Sequence, residues 1–110
     1  MNRGQIYYIN SRKGVDGSEQ QQNRPAVIVS NDTNNLFSGT VEVVYLTTKP
    51  KRNLPTHVSI SSSPKPSTAL CEQVTTVSVN RVHNLLGECT PEEMNAIDRA
   101  MIISLGIEVS

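Results

Sequence analysis

A chain of 110 residues with 36% hydrophobic side chains has room for one compact domain, residues 1–110, with a modest core. Ten basic and ten acidic residues cancel, so the overall field does not attract nucleic acid, and any anion site must come from local clustering. No apolar run reaches the length of a membrane span, and MNRGQIYYIN lacks a basic segment followed by a hydrophobic one, so we expect a cytoplasmic protein with no membrane association.

In chain order, GQIYYIN at 4–10 has the aromatic and β-branched content of a strand, and the polar, glycine-containing SRKGVDGSEQQQN at 11–23 follows as a loop. Residues 24–30 form a second, buried strand. NDTNNLFSG is dense in turn formers and is expected to be a connection. TVEVVYLT at 40–47 resumes strand character, with Val41, Val43 and Tyr45 alternating against Glu42 and Val44. A proline-broken basic loop holding Lys49, Lys51 and Arg52 leads to a short strand in THVSI, and SSSPKPS then interrupts any hydrogen-bond ladder. ALCEQVTTVSV supplies one or two strands that bend midway. The period then changes: Thr90 and Glu93 form a capping box, Pro91 sits at the first helical position, and Met94, Ile97, Met101 and Leu105 recur on one face up to Gly106.

With no Trp and a single Phe, the core falls to Val, Ile and Leu, with Tyr7, Tyr8 and Tyr45 as its larger pieces. Cys71 and Cys89, with 17 residues between them, match no metal or redox spacing and are expected to be reduced, buried thiols. His83 is expected to be structural. These elements predict a small, strongly curved antiparallel sheet or partial barrel carrying one C-terminal helix.

The sequence contains no phosphate-binding GxxxxGK[ST] loop, no GxGxxG, no GxSxG and no histidine pair at metal-binding spacing, so no metal or cofactor is expected. What remains is a set of polar groups beside strand ends: Ser18, Glu19 and Gln20 in the first loop, Arg24, Thr47, and the run Leu54, Pro55, Thr56 and His57. Each has a plain structural explanation. Arg24 can be a solvated charge that ends a loop, Thr47 a turn former, and His57 a solvated loop histidine.

GSEQ at 17–20, RPAVIVSND at 24–32, LT at 46–47, LPTHV at 54–58, CEQVTTV at 71–77 and IDRAMIISLG at 97–106 together resemble the MazF/PemK toxins of toxin-antitoxin pairs, in order and over nearly the whole chain. That resemblance implies a mainly β fold with a C-terminal α-helix, an SH3-like small barrel of the CcdB/MazF type. It also implies a homodimer, a cognate acidic antitoxin, and a metal-independent, sequence-specific endoribonuclease acting on single-stranded RNA. The family's catalytic pair falls on Arg24 and Thr47. Its RNA-binding positions fall on Ser18, Glu19, Gln20, Leu54, Pro55, Thr56, His57 and Gln73. The residues are chemically suited to the task, because RNA supplies its own nucleophile in the 2′-hydroxyl and a forked guanidinium matches a phosphate. The alternative within the same barrel type is a CcdB-like toxin without nuclease activity that binds DNA gyrase through its C-terminal helix. Gln21, Gln22 and Asn23, where relatives commonly carry glycine, and the short SSSPKPS segment bear on which RNA sequence is cut.

Overall fold

The computed structural model describes residues 1–10, 23–49 and 52–109. Along the chain run β1 (Gln5–Ile9), β2 (Arg24–Ile28), α1 (Asp32–Phe37), β3 (Thr40–Thr47), β4 (His57–Ile60), β5 (Ser67–Ser78), a 3-10 turn (Val79–Arg81), β6 (Val82–Glu88) and α2 (Pro91–Leu105). The strands form one antiparallel sheet in the order β4-β5-β3-β2-β1-β6.

The near-continuous apolar character of β2 and β3 follows from burial on both faces. Val27, Val44 and Leu46 point toward α2 and pack with Ile97 and Ala100. Their neighbours Ala26, Ile28, Val41 and Val43 point the other way, into a second cluster with Ile9 and Val77. Helix α2 lies across β4 and β5, so the first cluster is the helix side of the sheet.

The sheet curls because β5 carries an irregularity. Val44 pairs with Val74 but Leu46 pairs with Ala69, which leaves Tyr45 alone on β3 facing residues 70–73. Such an insertion bends a strand and raises its twist. Among the described residues no ladder joins the edge strands β4 and β6, yet the two ends of the sheet meet: a Cβ on Gly87 of β6 would overlap the carbonyl oxygen of Ser62, just past β4. Glu93 of α2 fastens the same corner, accepting hydrogen bonds from the Ser61 amide at 2.7 Å and the Ser62 hydroxyl at 2.6 Å. The expected curved sheet with one packed helix is therefore present.

Helix α2 begins and ends as its sequence predicts, with the Thr90/Glu93 capping box formed, Pro91 in the first turn and Gly106 in the left-handed region at φ 68°. Its apolar stripe is shifted. Ile97 and Ala100 are buried, Met94 and Met101 pack against them, and Leu105 is 59% exposed, so the stripe ends one turn earlier than expected.

Two further expectations are corrected. NDTNNLFSG contains a six-residue helix, α1, capped by the Asn31 side chain, which accepts from the Asn34 amide at 2.8 Å. It escaped detection because Leu36 and Phe37 are exposed and only Asn35 turns inward, where it bonds Ser30, so no apolar period exists. The tyrosines are likewise not central: Tyr7 and Tyr45 only flank the second cluster. Cys71 and Cys89 are free and buried as expected, and burial, with nearby carboxylates adding to it, pushes both thiols up to about 12. His83 sits in β6 with Nε2 2.5 Å from the Asn10 side-chain Nδ2, a structural contact. Among the described residues no helix is long and apolar enough to cross a membrane.

Candidate active site

Arg24 opens β2 and Thr47 closes β3. The ladder between these strands pairs Ala26 with Tyr45, and continuing that register by two residues sets Arg24 opposite Thr47. Directly opposed residues of an antiparallel pair project from the same face. The guanidinium confirms the direction: Arg24 Cζ lies over the Tyr45 ring, 4.6 Å from its centroid, and Tyr45 shares a face with Thr47. Pro25 follows Arg24 and pairs with Tyr8 of β1, so the backbone beneath the guanidinium is fixed on both sides. Arg24 itself is exposed, with its charge open to solvent and to a ligand.

Thr47 Oγ1 accepts a hydrogen bond from the Lys49 amide at 3.2 Å, which leaves the hydroxyl proton available to donate outward. The same cross-strand row continues, since Thr47 pairs with Thr68 of β5 and Thr68 with Ser59 of β4. Val58 and Ile60, the neighbours of Ser59, belong to the helix-side core. Arg24, Thr47, Thr68 and Ser59 therefore project from the face opposite α2. Beside Thr47 the surface falls into an open groove of about 380 Å³.

The LPTH segment is latched to this face rather than loose. The His57 amide closes a turn on the Leu54 carbonyl at 3.0 Å, and the Cys71 amide bonds the Thr56 carbonyl at 2.9 Å. The His57 ring has Nδ1 2.7 Å from the Arg52 carbonyl and Nε2 3.0 Å from Glu72 Oε2. Both partners are acceptors, so the ring engages them through its N–H groups. With its side chain 8% exposed, His57 is not the solvated loop histidine that its sequence context suggested. Burial raises the Glu72 carboxyl, but hydrogen bonds from His57, its own backbone and Thr56, together with the His57 charge, outweigh it and bring the group below its ordinary value. Leu54 and Thr56 are half-buried, whereas Pro55 and Gln73 are exposed. Gln73 lies in the irregular stretch of β5 beside Glu72.

Arg24 and Thr47 are thus on one row, and His57 stands two residues from Ser59 on the same strand and face. Ser18, Glu19 and Gln20 lie outside the described residues. Two contributors were not singled out from sequence: Tyr45, which holds the guanidinium, and Glu72, which holds His57. The signal for Glu72 was present in the CEQ run, but its direction depends on the bend in β5.

Residues 2–105 match the family of PemK-like, MazF-like toxins of type II toxin-antitoxin systems. An endoribonuclease MazF of Staphylococcus saprophyticus is 39% identical over 97% of this chain and 92% of its own length. Among solved structures, an endoribonuclease in complex with its cognate antitoxin from a mycobacterial species superposes with a TM-score of 0.84 at 31% identity, covering 100% of this chain and 99% of that one. A MazF from Deinococcus radiodurans shares the fold at a TM-score of 0.80 and 19% identity, over 97% of each chain. With the family matched over nearly its whole length and a curated relative at this identity, the chain belongs to the PemK-like, MazF-like toxins of type II toxin-antitoxin systems.

Proposed function

We propose that this chain is a single-domain endoribonuclease toxin that cuts single-stranded RNA, with Arg24 and Thr47 as its catalytic pair. The observation that carries the reading is the register that sets the Arg24 guanidinium, braced on Tyr45, opposite the Thr47 hydroxyl on an open polar face. The relatives named as endoribonucleases support the activity.

The reaction needs alignment and charge stabilisation. The ribose O2′ attacks the adjacent phosphorus, an O2′–P bond forms, and the P–O5′ bond breaks. A proton leaves O2′ and one arrives on O5′, giving a 2′,3′-cyclic phosphate and a 5′-hydroxyl. Arg24 meets the non-bridging oxygens, which gain charge as phosphorus becomes five-coordinate, and Thr47 donates to a phosphoryl oxygen or orients the ribose. No metal is needed to create the nucleophile. Ser18, Glu19, Gln20, Leu54, Pro55, Thr56 and Gln73 contact the RNA, and His57, engaged by Arg52 and Glu72, contributes by holding the LPTH turn in place. A second copy of the chain, as a homodimer, and a cognate acidic antitoxin are its partners in the cytoplasm.

The test is cleavage of single-stranded RNA by the purified protein in EDTA. We expect cyclic phosphate ends, and expect one 2′-deoxy substitution on the 5′ side of the cut bond to stop cleavage while binding persists. Continued cleavage of that substituted RNA would remove the mechanism, and intact RNA throughout would remove the nuclease.

A further inference from the structure

We propose that the groove beside Thr47 is a subsite for the RNA sugar-phosphate backbone next to the cut linkage, held by Ser59, Thr68 and Lys49. The inference rests on the nuclease reading and extends it to residues that the LPTH, GSEQ and CEQ segments do not include.

Three observations converge on it. The groove is continuous with the catalytic row, because Thr47 lines it and Thr68 and Ser59 follow Thr47 across the sheet at matched register. Its volume of about 380 Å³ is that of a cleft for a small ligand group. Its polar lining is one-sided: hydroxyls of Thr47, Ser59, Ser67 and Thr68 line it with Lys49, over apolar surface from Ile60 and Pro66, and no carboxylate lines it among the described residues. Glu93 lies behind Ser61, but its oxygens are directed to Ser61, Ser62 and the Thr90 amide. In a chain with no net charge, this groove is a local site of positive and donor character.

Two of these hydroxyls are free to act. Ser67 Oγ is not one of them, because it donates to the Lys65 carbonyl at 2.8 Å and lies 3.2 Å from the Ser63 hydroxyl. Among the described residues, neither the Ser59 nor the Thr68 hydroxyl has a hydrogen-bond partner. Both sit on paired strands rather than on loops, so their positions are fixed before a ligand arrives. Hydroxyl donors plus one lysine, with no aromatic face for a base to stack on, suit phosphate oxygens and ribose hydroxyls. Contacts of that kind position the strand without reading sequence.

The experiment uses a single-stranded RNA made uncleavable by one 2′-deoxy residue at the cut site. Its affinity is measured for the wild type, Thr68→Val, Ser59→Ala, the double variant and Lys49→Ala, with thermal midpoints recorded for each. We expect each lost hydroxyl to weaken binding by about fivefold and the pair by at least about tenfold. Lys49→Ala should lower the slope of log affinity against log salt by about 0.7. A neutral methylphosphonate at a linkage neighbouring the cut site should weaken the wild type and add little to the loss in the double variant. Wild-type affinity in the double variant, or a loss that changes with base sequence, overturns the subsite. Cleavage of the unsubstituted RNA by the wild type tests the nuclease reading separately, so a protein that cuts but whose double variant binds normally loses only the subsite.

Discussion

The two faces of the sheet are built from alternate residues of the same strands and have opposite tasks. On the helix side, Val27, Val44, Leu46, Ile97 and Ala100 are sealed from water, and the polar groups at the rim are consumed by caps and by the Glu93 corner. The opposite face is apolar in the cluster of Ile9, Ala26, Ile28, Val41, Val43 and Val77, and beyond it, where β2 begins and β3 ends, it turns into Arg24, Thr47, Thr68 and Ser59. Thr47 is one residue from Leu46, which is buried. The lesson is that a period of two lets a rigid core position a reactive surface without a loop between them.

Substitutions can break that division of labour in order of effect. Arg24→Ala should lower turnover by about 10²-fold to 10³-fold, as for other transition-state donors, while costing about 1 kcal/mol or less of stability, most of it the contact with Tyr45. Steady-state cleavage beside urea denaturation checks both numbers, and a large stability loss would mean that the two faces are not separable. Ile97→Ala is the mirror case. It should cost about 3 kcal/mol in unfolding free energy and leave the folded enzyme's rate near normal.

Smaller effects sharpen the picture at the rim. Glu93→Ala removes acceptors for Thr90, Ser61 and Ser62 at once and should cost about 2 kcal/mol by denaturation. For Glu93, burial raises the carboxyl, but the hydrogen bonds from Ser62, Thr90 and Ser61 lower it further, to a net position below the ordinary 4.5. A depressed folded value means that its contribution is present above the unfolded value and is lost as pH falls through the folded one. Stability measured downward from pH 4.5 should therefore fall less steeply in Glu93→Gln than in the wild type. Least of all, Gly106→Ala should cost about 1 kcal/mol, because φ there is 68°.

The sequence carried much of this plan where local chemistry decides structure. β3 spans Thr40–Thr47 as its alternation and turn residues predict, and α2 runs from its capping box to Gly106. It carried little where tertiary pairing decides. β6 is a half-exposed edge strand whose residues follow no burial alternation, so NRVHNLL offered nothing to detect. α1 hides among turn formers for the reason its exposed Leu36 and Phe37 make plain. At the site, Arg24 and Thr47 were legible as candidates through the family resemblance, but their juxtaposition depends on register. The bracing by Tyr45 and the Glu72 latch on His57 depend on register and on the bend in β5, neither of which a linear pattern records.

In the proposed mechanism RNA lies on the face opposite α2. Backbone amide chemical shifts, followed while uncleavable single-stranded RNA is titrated into the protein, test it directly. We predict the largest changes at Arg24, Thr47, Lys49, Ser59 and Thr68, with the exposed side of α2 around Ile103 and Leu105 unmoved. Changes centred on α2 with a silent Arg24–Thr47 row would contradict it, and would favour a toxin that works through its C-terminal helix.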